Sequence, residues 1–400
     1  MNRRPEIALV YAAGLVQGLA LVTFPAAGDI LTSPSFHNLS SSAYGSLFLP
    51  MVVAAILAST FGGPLARRRG LKLVLLAGLG FDLLAMAVLA ASQLAVGYPG
   101  LAYAALFIAM TALGLGFGSA LTALNALAAA YFPERPDRAL TALHALLGTG
   151  TALAPLLVAL VTGLGAWWSL PAAVAVVLAV LVWAGTRLPL APVAAADAVG
   201  AREDVTLLGA ARVLGVFVAA AIVYGIVETI FANWAVIYLR EDAGVSVREA
   251  GYALTAFWAM VTTGRLAVAA LGGRLSTARV YAILPGLMIV AFLWIATVGS
   301  AAAGIGAFAL AGLACSAFLP LTIGFAQARH PELSEIVSGV MVAAYMLGFG
   351  IGSFGLGPLR EMAGIPLATL YGSSAVLAAL LTGIALVLMR MRRHAAVTAS

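Results

Sequence analysis

Charge is what this sequence has least of. Asp, Glu, Lys and Arg make up 9% of the 400 residues and hydrophobic residues 63%, against roughly 25% and 45–50% in soluble domains. A water-soluble surface cannot be assembled from that composition. Cysteine is nearly absent. The lone Cys315 excludes a disulfide framework and a cysteine-based zinc cluster, each of which needs at least a pair. Histidine occurs four times, never in the His-Glu-x-x-His spacing of a helical metal site. Lysine occurs once, at Lys72, outside any phosphate-binding glycine loop, which argues against nucleotide-driven work by this chain. No nucleophile–base pair is legible, so the reading is of a non-enzyme without a cofactor.

The formal net charge is +6. In a soluble domain that balance would suggest a nucleic-acid partner. Here the basic residues sit in short clusters between apolar runs, and membrane topology accounts for them better. The apolar runs predict spans over 7–31, 45–66, 73–92, 101–131, 139–163, 167–186, 213–239, 251–272, 280–299, 303–328, 335–358 and 365–389. Twelve spans of ~22 residues use ~264 and leave ~136 for ends and loops, too little for a large soluble domain. Arg3 and Arg4 before the first run imitate a signal peptide. That run is long for such a segment, so it is read as an uncleaved span.

The basic residues also predict orientation. One set of loops holds Arg3, Arg4, Arg67, Arg68, Arg69, Lys72, Arg135, Arg138, Arg187, Arg202, Arg212, Arg274, Arg279, Arg329, Arg390, Arg392 and Arg393, 17 of the 21. The opposite loops hold Arg240, Arg248 and Arg360, and Arg265 lies inside a span. The bias places both termini in the cytoplasm. One lysine against twenty arginines, with abundant Ala, Leu and Gly, suggests a GC-rich bacterial gene and hence a bacterial inner membrane.

The Pro/Ala-rich stretch 187–212 reads as a cytoplasmic linker between bundles at 1–186 and 213–400. The two parts echo each other. GGPLARRR at 62–69 matches GGRLSTAR at 272–279, GLVQG at 14–18 matches GIVET at 225–229, FPER at 132–135 matches HPEL at 330–333, and Gly-x-Gly recurs at 148 and 348. Four matches in order, at offsets of 198 to 211 residues, argue for a duplicated six-helix unit. Parallel repeats of this kind build one large class of transporters, with the substrate site between them near the midplane.

The loop after the second span, Gly63-Pro-Leu-Ala-Arg67-Arg68-Arg69-Gly70-Leu-Lys72, resembles the signature of the major facilitator superfamily. Its glycines and its middle and final bases match, while the family's Asp is Arg67 here. That Asp belongs to a cytoplasmic charge network, so the family's gating pair is not carried over. The resemblance implies an all-α membrane protein of twelve transmembrane helices in two pseudo-symmetric six-helix bundles. A narrower resemblance is to the fucose–proton symporter group, through Gly28-Asp29-Ile30-Leu31 late in the first span and Glu228, Trp234 and Tyr238-Leu239 in the seventh. It implies that Asp29 takes part in proton coupling. The group's acidic residue in the fourth span has no counterpart; the nearest polar residue is Asn125.

Ionisable residues inside spans cost ~2.5–3.5 kcal/mol each on insertion scales and usually face a cavity or a partner. Glu228 lies at mid-depth, corresponds to Gln17 by the repeat, and shares a helix face with Tyr224 four residues earlier. Asp29 and Glu228 are the candidates for proton coupling. Asp82, midway along the third span, reads better as a structural partner within the amino-terminal half. Candidate substrate contacts are Gln17 and Asn125 as hydrogen-bonding groups, the titratable His144, Tyr224 on the Glu228 face, Arg265 as an anion clamp, and Phe231, Trp234 and Trp258 as stacking surfaces. Each has a packing alternative. Gly114, Gly116 and Gly118 lie within an apolar helix with no preceding strand, so they read as close helix packing, as does Gly14-x-x-x-Gly18.

The reading is a monomeric secondary transporter that moves a small polar solute, sugar-like by the fucose-group resemblance, with a proton as co-substrate. An exporter of amphipathic compounds is the alternative within transport. A non-transporting sensor or scaffold is the alternative of another class.

Overall fold

The computed structural model describes residues 3–190, 209, 212–271, 274 and 276–398. Most of the 187–212 stretch and much of the 272–279 echo lie outside the described residues. Twelve helical spans are long and apolar enough to cross a bilayer: Arg4–Thr32, Ser41–Arg69, Leu71–Ala95, Pro99–Tyr131, Pro136–Gly163, Ser169–Arg187, Gly215–Asn233, Val247–Leu271, Thr277–Ile295, Ala301–Arg329, Ile336–Ala363 and Leu367–Arg390. They are numbered one to twelve below. An even number of crossings returns both ends of the chain to one face, here the terminal face; the other is the distal face.

Helices are dictated by the solvent. Lipid offers backbone groups no hydrogen bonds, so each span satisfies its own. The breaks have local causes. The first span is interrupted at Ala27, just after Pro25, whose ring cannot donate to the helix ladder. The seventh ends at Trp234 and resumes as Ala235–Glu241. The tenth is interrupted between Cys315 and Phe318. Gly70, at φ 88°, turns the second span into the third within the basic signature loop; a positive φ is strained for side-chain-bearing residues.

The helix packing repeats. The first span packs on the fifth, the second and third on the fourth, and the third on the sixth; the seventh packs on the eleventh, the eighth and ninth on the tenth, and the ninth on the twelfth. Glycines make the tightest crossings. A Cβ on Gly18 would overlap the Leu147 carbonyl and Thr151 nitrogen, and one on Gly150 the Leu15 carbonyl. At the equivalent crossing a Cβ on Gly225 would overlap the Tyr345 carbonyl, and one on Gly348 the Ile222 carbonyl. Backbone-to-backbone approach of this kind is what small residues permit between membrane helices. Gly114 and Gly118 bring the fourth span onto the second, and Gly116 receives the Asp82 carboxylate.

Two further contacts join spans one to six with spans seven to twelve: the fifth against the eighth, and the second against the eleventh. Toward the distal face Gly251 sits on Pro155 and Ala159, and Gly45 on Ser353 and Phe354; at mid-helix Gly148 sits on Thr262.

Candidate functional site

Glu228 is buried in the seventh span. Its Oε1 accepts the Tyr224 hydroxyl at 2.8 Å and its Oε2 the Tyr345 hydroxyl of the eleventh span at 2.5 Å. Arg265 of the eighth span places Nη2 3.9 Å from Oε1. Tyr224 lies 2.8 Å from the Cys315 carbonyl as well, an orphan acceptor where the tenth span breaks. Arg265 donates from Nε to the neighbouring Ser316 carbonyl at 2.9 Å. The interruption of the tenth span thus places free carbonyls beside two of the three partners of Glu228, Tyr224 and Arg265. Burying a carboxylate costs several kcal/mol, which close donors and an opposite charge must offset. Here two hydroxyl donors and one guanidinium do so.

Arg265 separates Glu228 from a cavity of about 540 Å³. His144 and Thr141 of the fifth span, Thr262 and Leu266 of the eighth, and Leu319 of the tenth line it. These residues lie on the terminal side of their helices. The arrangement brings Glu228, Tyr224, Arg265 and His144 together, as the sequence suggested for each separately. Tyr345 was missed. A tyrosine in an apolar span has to find a hydrogen-bond partner, but its partner is on another helix.

The distal face is sealed by contacts across the two sets of spans. Asp29 pairs with Arg240 at 3.3 Å. Thr32 donates to Glu241 at 3.2 Å, Ser42 N–H to Glu361 at 2.9 Å, and the Tyr44 hydroxyl to the Asn233 carbonyl at 2.8 Å. Tyr44 also meets the Trp234 ring edge-on, 5.4 Å between centroids, and Trp234 donates to the Ser353 carbonyl at 3.2 Å. The cavity lies away from this seal, toward the terminal ends of the fifth, eighth and tenth spans.

Several sequence candidates lie away from it. Asp29 is at the distal seal, paired with Arg240 and absent from the cavity lining. Trp234 is fully buried in that seal. Phe231 is stacked on Phe292 at 4.0 Å, inside the carboxyl-terminal helices; an apolar ring gains most where it is wholly covered. Gln17 is buried and donates to Asp82 at 3.3 Å, so the repeat partner of Glu228 ties the first span to the third. That bond places Asp82 in a structural pairing within the amino-terminal helices. Asn125 and Trp258 are half-buried, and their Oδ1 and Nε1 atoms have no hydrogen-bond partner. Neither residue lines the cavity.

The sequence matches the model of the Major Facilitator Superfamily over residues 8–353. No curated protein matches it. Among solved structures it is similar to the nucleoside transporter NupG, at 16% identity and a TM-score of 0.72, over 98% of this chain and 99% of that one. It is similar to the D-xylose-proton symporter, at 17% identity and 0.72, over 94% and 96%. It is also similar to FucP in the outward conformation, at 16% identity and 0.62, over 97% and 98%. With twelve spans, a repeated six-helix packing and a family match across most of its length, the chain belongs to the Major Facilitator Superfamily and is a multi-pass membrane transporter.

Proposed function

We propose that this transporter carries a small polar organic solute of sugar-like skeleton together with a proton, by alternating access, with Glu228 as the coupling carboxylate. The observation that carries the reading is Glu228 itself: a buried carboxylate at mid-depth, held by Tyr224 and Tyr345, one guanidinium away from the cavity. Proton relays in membrane transporters are built from such groups. Sugar-like chemistry is supported by the similarity to the D-xylose-proton symporter. Nucleoside transport by the NupG neighbour keeps ribose-bearing solutes within the class. With the terminal face read as cytoplasmic from the basic loops, the closed distal face supports an inward-facing reading of a bacterial inner-membrane protein. Division at the 187–212 linker gives the two bodies that rock.

The test is solute-induced proton uptake. Cells expressing the protein are energised, sugars and nucleosides are added singly, and external pH is recorded. One solute should alkalinise the medium, and Glu228→Gln should abolish the signal. Full, pH-sensitive uptake in Glu228→Gln refutes the coupling role. The apolar wall formed by Leu140, Leu266, Leu319 and Ile323 favours a second reading, export of amphipathic compounds. It predicts that gene deletion raises sensitivity to hydrophobic toxicants and leaves solute uptake unchanged.

A further inference from the structure

We infer that the solute is a hydroxylated organic anion, a sugar acid rather than a neutral sugar, and that Arg265 links its binding to protonation of Glu228. The inference deepens the proton-coupled reading above and rests on it. The residues lining the cavity include two basic side chains, Arg265 and His144, and no acidic one. Glu228 lies behind the guanidinium, its side chain 4% exposed against 41% for Arg265. Arg265 is anchored by Nε to the Ser316 carbonyl. Its Nη2 stands 3.9 Å from Glu228, beyond hydrogen-bond length, and neither Nη hydrogen-bonds any described residue. A fixed planar fork with unspent donors matches a carboxylate in two-point geometry. Thr141 and Thr262 line the same space. Each spends its hydroxyl hydrogen on its own helix, at Asp137 and Trp258, and keeps lone pairs for solute hydroxyls.

The coupling follows from charge. In the empty site Arg265 and Glu228 sum to zero. An anion seated on the fork takes over the guanidinium and leaves Glu228 buried without a counter-charge, which disfavours its ionised form. The other titratable groups around Glu228 are Tyr224 on its own span, Cys315 on the tenth and Tyr345 on the eleventh. None carries positive charge; His144 faces Arg265 across the cavity. Glu228 therefore takes one proton as the anion binds, and loaded and empty carriers bear the same net charge.

The experiment uses the purified full-length protein in proteoliposomes with D-gluconate and D-glucuronate as probes and D-glucose and D-xylose as neutral comparators. An inward proton gradient should accumulate a sugar acid, and a potential of 100 mV should change its accumulation less than twofold. A neutral sugar moving with one proton would respond about 50-fold. Arg265→Gln should lower sugar-acid counterflow at least tenfold, and Arg265→Lys should lower it by less, both with unchanged elution on size exclusion. Glu228→Gln should retain counterflow and lose dependence on the proton gradient, which a purely structural role would not produce. Proton-coupled transport of a neutral sugar without a sugar acid overturns this inference and leaves the proposed function standing. Sugar-acid movement indifferent to the proton gradient overturns the link through Glu228. Movement of neither class overturns this inference, and the nucleosides in the external-pH assay then decide the proposed function.

Discussion

Removing one hydroxyl from the distal seal should open that face. Tyr44→Phe deletes the donor to the Asn233 carbonyl, a bond of 2.8 Å between fully buried groups. It keeps the ring stacked near Phe24 and edge-on to Phe48 and Trp234. Stranding a buried acceptor costs about 1–3 kcal/mol. The bond joins the second span to the seventh and exists only while the face is closed, so the cost falls on the closed state alone. The distal-open population should rise about 5- to 150-fold. Val52, buried where the second span meets Met346, reports on it. In a Cys315→Ser background, which removes the only native thiol, Val52→Cys should be alkylated by an impermeant maleimide from the distal side. While the open state is rare, the rate follows its population. Tyr103→Phe is the control, because its hydroxyl bonds Ser46 at 2.8 Å within the amino-terminal helices. An unchanged rate in Tyr44→Phe, or an equal rise in Tyr103→Phe, would refute the assignment of this contact to the gate.

Asp29→Asn should act in the same assay but weakly, within about fivefold, since exposed and half-exposed ion pairs contribute ~0.2–1 kcal/mol; added salt should shrink the difference. Gly18→Val forces a Cβ onto the Leu147 carbonyl and Thr151 nitrogen and should cost about 1–3 kcal/mol or more, read as a lower thermal midpoint in detergent. Gly286→Ala, with open space around its Cα, should leave the midpoint in place. His37, in the loop after the first span, sits 2.9 Å from the Ser92 hydroxyl and edge-on to Trp167. Burial holds its imidazole below the usual histidine value. A histidine depressed by folding contributes stability that is present above its unfolded value, near 6.5, and lost as pH falls. The midpoint should therefore drop between pH 7 and pH 5, and His37→Gln should flatten that dependence.

Composition and periodic interruption by charge were enough to read twelve spans from the sequence, because a bilayer core accepts little except long apolar helices. Glu228 was legible for the same reason: a carboxylate at mid-depth must have a partner. Its helical neighbour Tyr224 was legible from the four-residue spacing. The Gly14/Gly18 pair was readable as close packing, though its partner Gly150 on the fifth span was not.

Where each polar group finds its partner depended on tertiary structure. Tyr345 reaches Glu228 from 117 residues away, and no periodicity within one helix records such a meeting. Asp29 and Glu228 look alike as carboxylates in apolar runs, yet one meets Arg240 at the distal seal and the other two tyrosines and Arg265 near the cavity. Phe231 and Trp234 look alike as aromatics in one span. Helix rotation turned one onto Phe292 and the break at Trp234 turned the other onto Ser353. The sequence by itself determined that the chain spans a membrane twelve times, because the cost of burying unpaired backbone and charge applies residue by residue. Only the tertiary structure decided which charges face each other, because an ion pair across helices depends on how those helices are rotated and where they break.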